Sequence, residues 1–231
     1  MSHYDEYAGS VPLRWMAVQS RATFITKTYL HLAGAIALFV GIEVALFKSG
    51  LAERIAAPML NGGMLVLLAF VFISWTARSV AHRAESKAVQ YLALAGYTAL
   101  WAIMFVPMLY MAERFAPGAI QSAAAVTLVG FGVLTAIAFI TRKDFSFLGS
   151  FLMWASFGVL ALIVGGYVFG FQLGLYFSVG MVIFAGAAIL YDTSKVIHHY
   201  SEDKYVAAAL ELFGSFALLL WYVLRIFMSR R

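Results

Sequence analysis

Long apolar runs dominate this chain of 231 residues and limit what it can fold into. Seven of the runs are close to the roughly 20 residues that a helix needs to cross about 30 Å of hydrocarbon. Hydrocarbon offers no partner to backbone N–H and C=O groups, so a crossing segment must pair them internally, as a helix does. The pattern therefore predicts an all-α integral membrane protein, a bundle of seven transmembrane helices. The predicted spans are Thr28–Phe47, Met59–Ala77, Ala88–Met111, Ala119–Thr141, Phe147–Val168, Leu173–Tyr191 and Val206–Phe227.

Composition supports a membrane protein and excludes several classes of function. Hydrophobic residues make up 63% of the chain and charged residues 12%, whereas soluble domains carry about 25% charged residues. The absence of cysteine excludes disulfides, thiol nucleophiles and cysteine metal sites. The net charge of +5 is spread between the spans, which suits the headgroups of a lipid bilayer and not a nucleic acid.

The loops divide the basic residues unevenly, and this predicts the orientation. Ten lysines and arginines lie on the side of the N-terminus and three on the other side, so we expect a cytoplasmic N-terminus. The tail, with Arg225, Arg230 and Arg231, breaks the pattern. We expect the last segment nevertheless to cross the membrane, which would place these arginines on the side opposite to the N-terminus. The ten are Arg14, Arg21, Lys27, Arg78, Arg83, Lys87, Arg142, Lys143, Lys195 and Lys204, and the three are Lys48, Arg54 and Arg114.

Short connections indicate that the chain has one membrane domain. Residues 28–227 form this predicted domain, and residues 1–27 form a polar cytoplasmic segment that lacks the apolar core of a signal peptide. Ala33, Ala37, Gly41 and Ala45 recur every four residues and predict a smooth face for close helix packing. Pro107 lies inside the third span and predicts a kink there.

Two acids in the last two spans are the strongest functional signal. The run Leu173–Tyr191 carries no charge and ends on Asp192, and the run Val206–Leu224 carries only Glu211. A carboxylate at the centre of a spanning helix costs roughly 2.5–3.5 kcal/mol on insertion scales, so such a group is usually paired or used. Ser215 lies one turn from Glu211 on the same helix face.

The two acids have both a functional and a structural interpretation. Asp192 and Glu211 can meet at the cytoplasmic boundary, where they would share a proton or bind Ca²⁺, which prefers oxygen ligands. Alternatively, Asp192 ends its helix and pairs with Lys195, and Glu211 extends to the membrane surface.

Other charged residues near the span ends have weaker signals. Arg78 is a candidate counter-ion that latches onto Asp192 or Glu211, or it only sets the topology. Glu43 is a possible additional acid, although its place near the outer end of span one favours a group that reaches the surface or is satisfied by packing. His198 and His199 point in different directions on a helix, which argues against a metal site and leaves a pH-sensitive loop.

No enzyme signature is present in the sequence. The zinc pattern HExxH, the phosphate-binding GxxxxGK[ST] and the nucleophile pattern GxSxG are all missing, so we expect no enzymatic activity and no cofactor other than Ca²⁺.

Three stretches resemble the Bax inhibitor-1 (TMBIM) family of seven-span membrane proteins, especially its bacterial branch. The first resembles the entry to span one, the second the basic turn before span five, and the third the paired acidic motifs of spans six and seven. These stretches are Arg21–Leu30, Arg142–Ser150, and Tyr191–Lys195 with Leu210–Phe216. The resemblance covers the chain from about Arg21 to Arg225 and implies a bundle whose last helix is central, in a bacterial inner membrane.

The resemblance implies a pH-sensitive Ca²⁺ leak that is governed by acids on spans six and seven. Asp192 matches the acid of span six, and Arg78 matches a basic residue at the cytoplasmic end of span two. Ser215 stands where some members carry the second acid, and Glu211, one turn earlier, can replace it. This departure leaves a second interpretation open. Related bacterial members with a hydroxyl at that place are associated with a membrane-embedded AAA protease as modulators, and Met1–Lys27 would then be the handle that the protease engages.

Overall fold

A computed structural model describes residues 13–229, with side chains from Gln19 onward. In this part of the chain, seven α-helices are long and apolar enough to cross a membrane, which confirms the predicted seven-helix class. A single turn of 3₁₀-helix, Glu202–Lys204, precedes the last of them. The helices are α1 Leu13–Lys48, α2 Leu51–Arg83, α3 Lys87–Phe115, α4 Ala119–Thr141, α5 Leu148–Phe169, α6 Leu175–His198 and α7 Tyr205–Ser229.

Several helices extend beyond the apolar runs that predict them. Helix α1 has 36 residues and is therefore about 54 Å long, well beyond the thickness of the hydrocarbon. It begins at Leu13, inside the segment predicted as a polar N-terminal region. Helix α6 likewise continues past Asp192 to His198, so Asp192 lies within the helix and not at its end. The connection between α6 and α7 is correspondingly shorter than predicted.

Helix α2 is interrupted by one residue with non-helical torsions. Helix α3 continues through Pro107 to Phe115. In α2, Gly63 follows Pro58 by five residues and has non-helical torsions, with φ 43° and ψ −117°. A positive φ of this kind is readily available only to glycine. Gly63 therefore divides α2 into two rods.

Helix α7 lies at the centre of the bundle, as predicted. Its residues from Val206 to Ala217 are buried with the exception of Glu211, which is partly exposed. Helices α1, α2, α3, α4 and α6 all pack against it, whereas α5 packs mainly on α6. Small side chains on α7 allow this crowding, since Ala207, Ala208 and Ala209 have no exposed surface.

The small residues of α1 do not form its packing face. Ala33, Ala37, Gly41 and Ala45 are exposed, so this prediction is wrong for contacts within the chain. The inner face is instead made by a different set of residues, most of them larger, that recur every three or four positions and fill the space beside α3 and α7. These inward residues are Phe24, Thr28, Leu32, Ala35, Phe39 and Glu43.

Candidate functional site

Glu211 lies at the centre of a charged cluster between α2 and α7. Its Oε2 atom is 2.9 Å from Nη1 of Arg78, and its Oε1 atom is 2.9 Å from Nε2 of His82. The Glu211 side chain is 12% exposed, so it does not extend to the membrane surface. Arg78 and His82 are four residues apart and lie on one face of α2, which lets them bind both carboxylate oxygens. Glu211 thereby joins the central helix to α2.

Arg78 is also fixed by an aromatic residue of α3. Its Nη2 and Nε atoms lie 3.0 and 3.3 Å from the hydroxyl oxygen of Tyr97, to which they donate. Gly214 of α7 makes room for this arrangement, because a Cβ atom there would lie 2.7 Å from Nη2 of Arg78 and 2.5 Å from the Tyr97 hydroxyl. The glycine is therefore required by a close approach of side chains.

Asp192 has a different partner from Glu211. The Ser215 hydroxyl donates to Oδ2 of Asp192 at 2.5 Å, and both residues are buried. Lys195, one turn further along α6, places its Nζ atom 5.1 Å from the ring centroids of both Tyr191 and Tyr200. The predicted pairing of Asp192 with Lys195 is thus replaced by a hydrogen bond to α7.

One cavity of about 450 Å³ contains both acids. Asp192 and Ser215 line it together with Glu211, Arg78 and Lys195. The contacts give each acid its own partners, Ser215 for one and Arg78 with His82 for the other. The predicted site residues Asp192, Glu211, Ser215 and Arg78 therefore come together around one space, while their functional roles remain predictions.

The donor set around this cavity is compatible with a hard cation but incomplete as a metal site. Two carboxylates and a hydroxyl supply the oxygen atoms that Ca²⁺ prefers, yet Ca²⁺ takes six to eight ligands. In the described part of the chain, no group of three or more acids, histidines or cysteines is placed to bind a metal ion. Binding of Ca²⁺ by Asp192 and Glu211 remains a prediction, and water would have to complete the coordination.

The sequence prediction missed His82 and Tyr97. His82 could have been found, because it lies four residues after Arg78 and such pairs share a helix face. Tyr97 gave no comparable signal, since its role depends on how α3 is placed beside α2 and α7. The His82 ring also stacks on Tyr200, with centroids 5.9 Å apart. Burial raises the pKa of Tyr200, which keeps this phenol neutral.

Glu43 lies apart from this cluster, near the opposite end of the bundle. It is 7% exposed, so it neither reaches the surface nor joins the other acids. Both of its carboxylate oxygens are buried and lack a hydrogen-bond partner among the described residues. It lines a separate cavity of about 400 Å³ with Glu113 and Gln121. Packing therefore encloses the Glu43 side chain but gives its two carboxylate oxygens no partner. The predicted alternative, a group satisfied by packing, does not hold for these oxygens.

The loop between α4 and α5 is fastened to α6 near the site. Oδ1 of Asp144 accepts hydrogen bonds from the Ser146 backbone N–H at 2.9 Å and from the Ser194 hydroxyl at 3.3 Å. Oδ2 of Asp144 lies 3.4 Å from Nε2 of His199. The backbone hydrogen bond from Ser146 lowers the pKa of Asp144. His199, one of the two adjacent histidines, therefore links the connection after α6 to the loop between α4 and α5.

These features define a class of protein: a seven-helix membrane bundle whose central last helix carries an acid paired with an arginine of the second helix. Residues 21–231 match the family described as inhibitor of apoptosis-promoting Bax1. The chain therefore belongs to the Bax inhibitor-1 family.

Similar proteins occur in bacteria and in yeast. An uncharacterized protein of Deinococcus radiodurans is 31% identical over 219 residues, which cover 90% of this chain and 91% of that protein. An uncharacterized protein of Pseudomonas aeruginosa is 39% identical over 111 residues, 47% of this chain and 49% of that protein. Bax inhibitor 1 of Schizosaccharomyces pombe is 32% identical over 145 residues, which cover 59% of this chain and 48% of the yeast protein.

Proposed function

We propose that this protein is a pH-sensitive leak channel for cations such as Ca²⁺, with Asp192, Glu211 and Ser215 as its ion and proton sensor. The observation that carries the proposal is a series of three adjoining cavities along α7. The first, of about 450 Å³, contains the two acids. The second, of about 320 Å³, and the third, of about 310 Å³, continue toward the other end of α7 at Arg225.

Shared lining residues support a continuous path. The first and second cavities share four residues, and so do the second and third. Phe70, Val71, Trp101 and Leu218 line the first two, and Leu67, Ile163, Leu173 and Arg225 line the second two. Gly63, where α2 bends, lies at the third cavity.

The junction between the first two cavities has the properties of a closed gate. The rings of Phe70 and Trp101 meet edge to face there, with centroids 4.8 Å apart. Beside them lies Leu218 of α7. An apolar constriction excludes ions by dewetting, since an ion cannot shed its water where no polar group replaces it. In the proposed channel, this constriction would act as the closed gate.

The ion pair between Arg78 and Glu211 is the proposed latch. It connects α2, which carries Phe70 and the bend at Gly63, to α7, which carries Leu218. Protonation of Glu211, or a cation that takes over its oxygens, removes the attraction that keeps α2 against α7. His82 of α2 faces the same carboxylate, and Tyr97, Asp192, Lys195 and Tyr200 complete the titratable surroundings.

Flux in proteoliposomes tests the channel. We expect Ca²⁺ flux to rise as the pH falls from 8 to 6, because the acids of the first cavity, taken together, lose negative charge beside Arg78. Glu211→Gln should conduct at a high and nearly constant level over this range. Asp192→Asn should conduct less, since it removes a charged oxygen from the first cavity. The measurement is the initial rate of dye-reported Ca²⁺ entry.

Two control variants make the flux result specific. Glu85→Gln removes an exposed acid outside the cluster and should leave the pH profile unchanged. His82→Gln removes the second contact of the Glu211 carboxylate and tests whether the pH response needs this imidazole. A protein without Ca²⁺ flux, or with the same flux in all these variants, is not a channel of this kind.

A second function, regulation of a membrane AAA protease without conduction, is favoured by two observations. Asp192 is bonded to Ser215, the hydroxyl that replaces an acid, so the carboxylate pair expected of a Ca²⁺ sensor is missing at that position. Helix α1 begins at Leu13 and extends beyond the length that the membrane requires, which gives a rigid projection for a partner.

Co-purification and protease assays test this second function. A chain that begins at Gln19 lacks most of the predicted handle, Met1–Lys27. We expect this chain no longer to bind the protease or to alter the turnover of protease substrates. Its unfolding temperature should stay the same. Retention of both partner and effect would contradict the proposal. The flux assay separates the two functions, because a regulator of this type conducts nothing in pure liposomes.

A further inference from the structure

A groove between α1 and α3 opens on the outer surface of the bundle, away from the charged cluster. Its volume is about 360 Å³. Its walls are apolar, with Leu30 and Leu38 of α1 on one side and Leu94 and Ala95 of α3 on the other. Leu30 is 65% exposed and Leu38 43% exposed, so the groove faces the lipid and not the protein interior. Gly34 widens it, because no atom lies within 4 Å of the position that a Cβ would take there.

Two lysines converge at one end of this groove. The Nζ atoms of Lys27 and Lys87 lie 5.4 and 4.4 Å from the ring centroid of Tyr205. The residues come from three different helices, and two of them, Lys87 and Tyr205, are the first residues of α3 and α7. They therefore lie at one level, where these helices enter the membrane.

The two lysines give this end of the groove a positive charge, which the nearby Asp203 carboxylate offsets in part. Neither Lys27 nor Lys87 forms a salt bridge within residues 19–229. Lys87 donates to the backbone carbonyl of Asp203 and, at 3.5 Å, to Oε1 of Gln90, and these bonds leave one of its three N–H groups for another acceptor. Hydrogen bonds between Tyr91 and His31, at 3.1 Å, and between Tyr91 and Tyr205, at 3.3 Å, fix the surrounding rings.

We propose that this groove binds an anionic glycerophospholipid. The phosphate would lie between Lys27 and Lys87, and one acyl chain would follow the groove toward Leu38. Eleven residues separate Lys27 from Leu38, which corresponds to about 16 Å along the helix, a depth within one leaflet. Two cations at the headgroup level joined to an apolar groove match the charge and the apolar part of such a lipid. A lipid without net charge would use only the groove.

Native mass spectrometry of the full chain tests the proposal. The probes are phosphatidylglycerol, phosphatidylcholine of the same chain length, and inorganic phosphate. We expect phosphatidylglycerol to be retained in preference to phosphatidylcholine, and Lys27→Gln with Lys87→Gln to reduce this preference by about tenfold. The matched control is Lys48→Gln with Lys143→Gln, which removes two exposed charges elsewhere and should keep the preference.

A second variant separates a lipid site from a simple anion site. Gly34→Leu fills the groove without touching either lysine, and open space around Gly34 lets the bundle fold. It should release the lipid, while inorganic phosphate should not compete. Equal loss in both lysine pairs would overturn the proposal in favour of general surface charge. Retention in Gly34→Leu, or full competition by phosphate, would overturn it in favour of an anion site without the acyl groove.

Discussion

The role of single residues in this protein depends on their close contacts with side chains from other helices. Glu211 binds two residues of α2, and Gly214, one turn away, keeps free the space that Arg78 and Tyr97 occupy. Removal of one partner leaves the other charge behind, and because the Arg78 side chain is 42% exposed this costs less than in a fully buried pair. Conservative amide replacements, which keep the hydrogen-bonding shape, are therefore the informative changes at this cluster.

Glu43 gives a residue-scale prediction about stability. Its two carboxylate oxygens are buried without a described partner, and burial of such a polar group costs about 1–3 kcal/mol in proteins. We expect Glu43→Leu to leave the unfolding temperature unchanged or to raise it, since leucine removes this cost. Thermal unfolding in detergent is the measurement.

Leu32→Ala provides the comparison for Glu43→Leu. Leu32 is 3% exposed on the same face of α1, and its truncation should destabilise by about 2–5 kcal/mol. If Glu43→Leu destabilises as much as this cavity-forming change, Glu43 has a binding partner that stabilises the folded protein.

At the scale of helices, the need to cross the hydrocarbon of a bilayer decides which features the sequence predicts well and which it does not. The seven spans could be predicted, because crossing a bilayer demands long apolar helices. The ends of α1 and α6 could not, since a helix can continue in water and at the surface, where no apolar run marks it. The same limit applies to the site. Asp192 and Glu211 stand out as acids in apolar runs, whereas Tyr97 and His82 depend on which helices become neighbours.

The link between the α4–α5 loop and α6 gives a pH prediction. The lowered pKa of Asp144 means that the ionised carboxylate is favoured in the folded loop. Its contribution is present above the ordinary carboxyl pKa of about 4 and is lost as the pH falls through the lower, folded value. We expect the amides of residues 144–148 to lose protection below about pH 4, measured against the intrinsic exchange rate at each pH.

Asp144→Asn separates this effect from general acid unfolding. The variant should exchange faster in the same segment at neutral pH, with no further change on acidification that is confined to the loop. Equal protection in the variant and the parent at neutral pH would contradict a role of the carboxylate in fastening the loop.

At the scale of the whole molecule, α7 and α5 differ most in their surroundings. Ala208 of α7 has no exposed surface, whereas Ala161 of α5 is exposed. Ala208→Leu should destabilise the bundle by about 1–3 kcal/mol or prevent its assembly, because Ala208 has no exposed surface and the added atoms have no space there. The check is the unfolding temperature together with the monodisperse fraction after solubilisation.

Ala161→Leu makes the same change of side chain on the outside of the bundle. It should leave both quantities unchanged, since the added atoms enter the lipid. Similar losses for the two alanines would mean that α5 is also enclosed, by another molecule in the membrane.

The central place of α7 also has a consequence for the order of assembly. The ribosome makes this helix after the other six, so they must enter the bilayer before the element on which five of them pack exists. During that interval Arg78 and Asp192 lie in the membrane without Glu211 and Ser215, their partners in the finished protein. Closure of the bundle is therefore a late step in biogenesis, and a nascent chain that stalls before Tyr205 presents two unpaired charges to whatever machinery surveys the membrane.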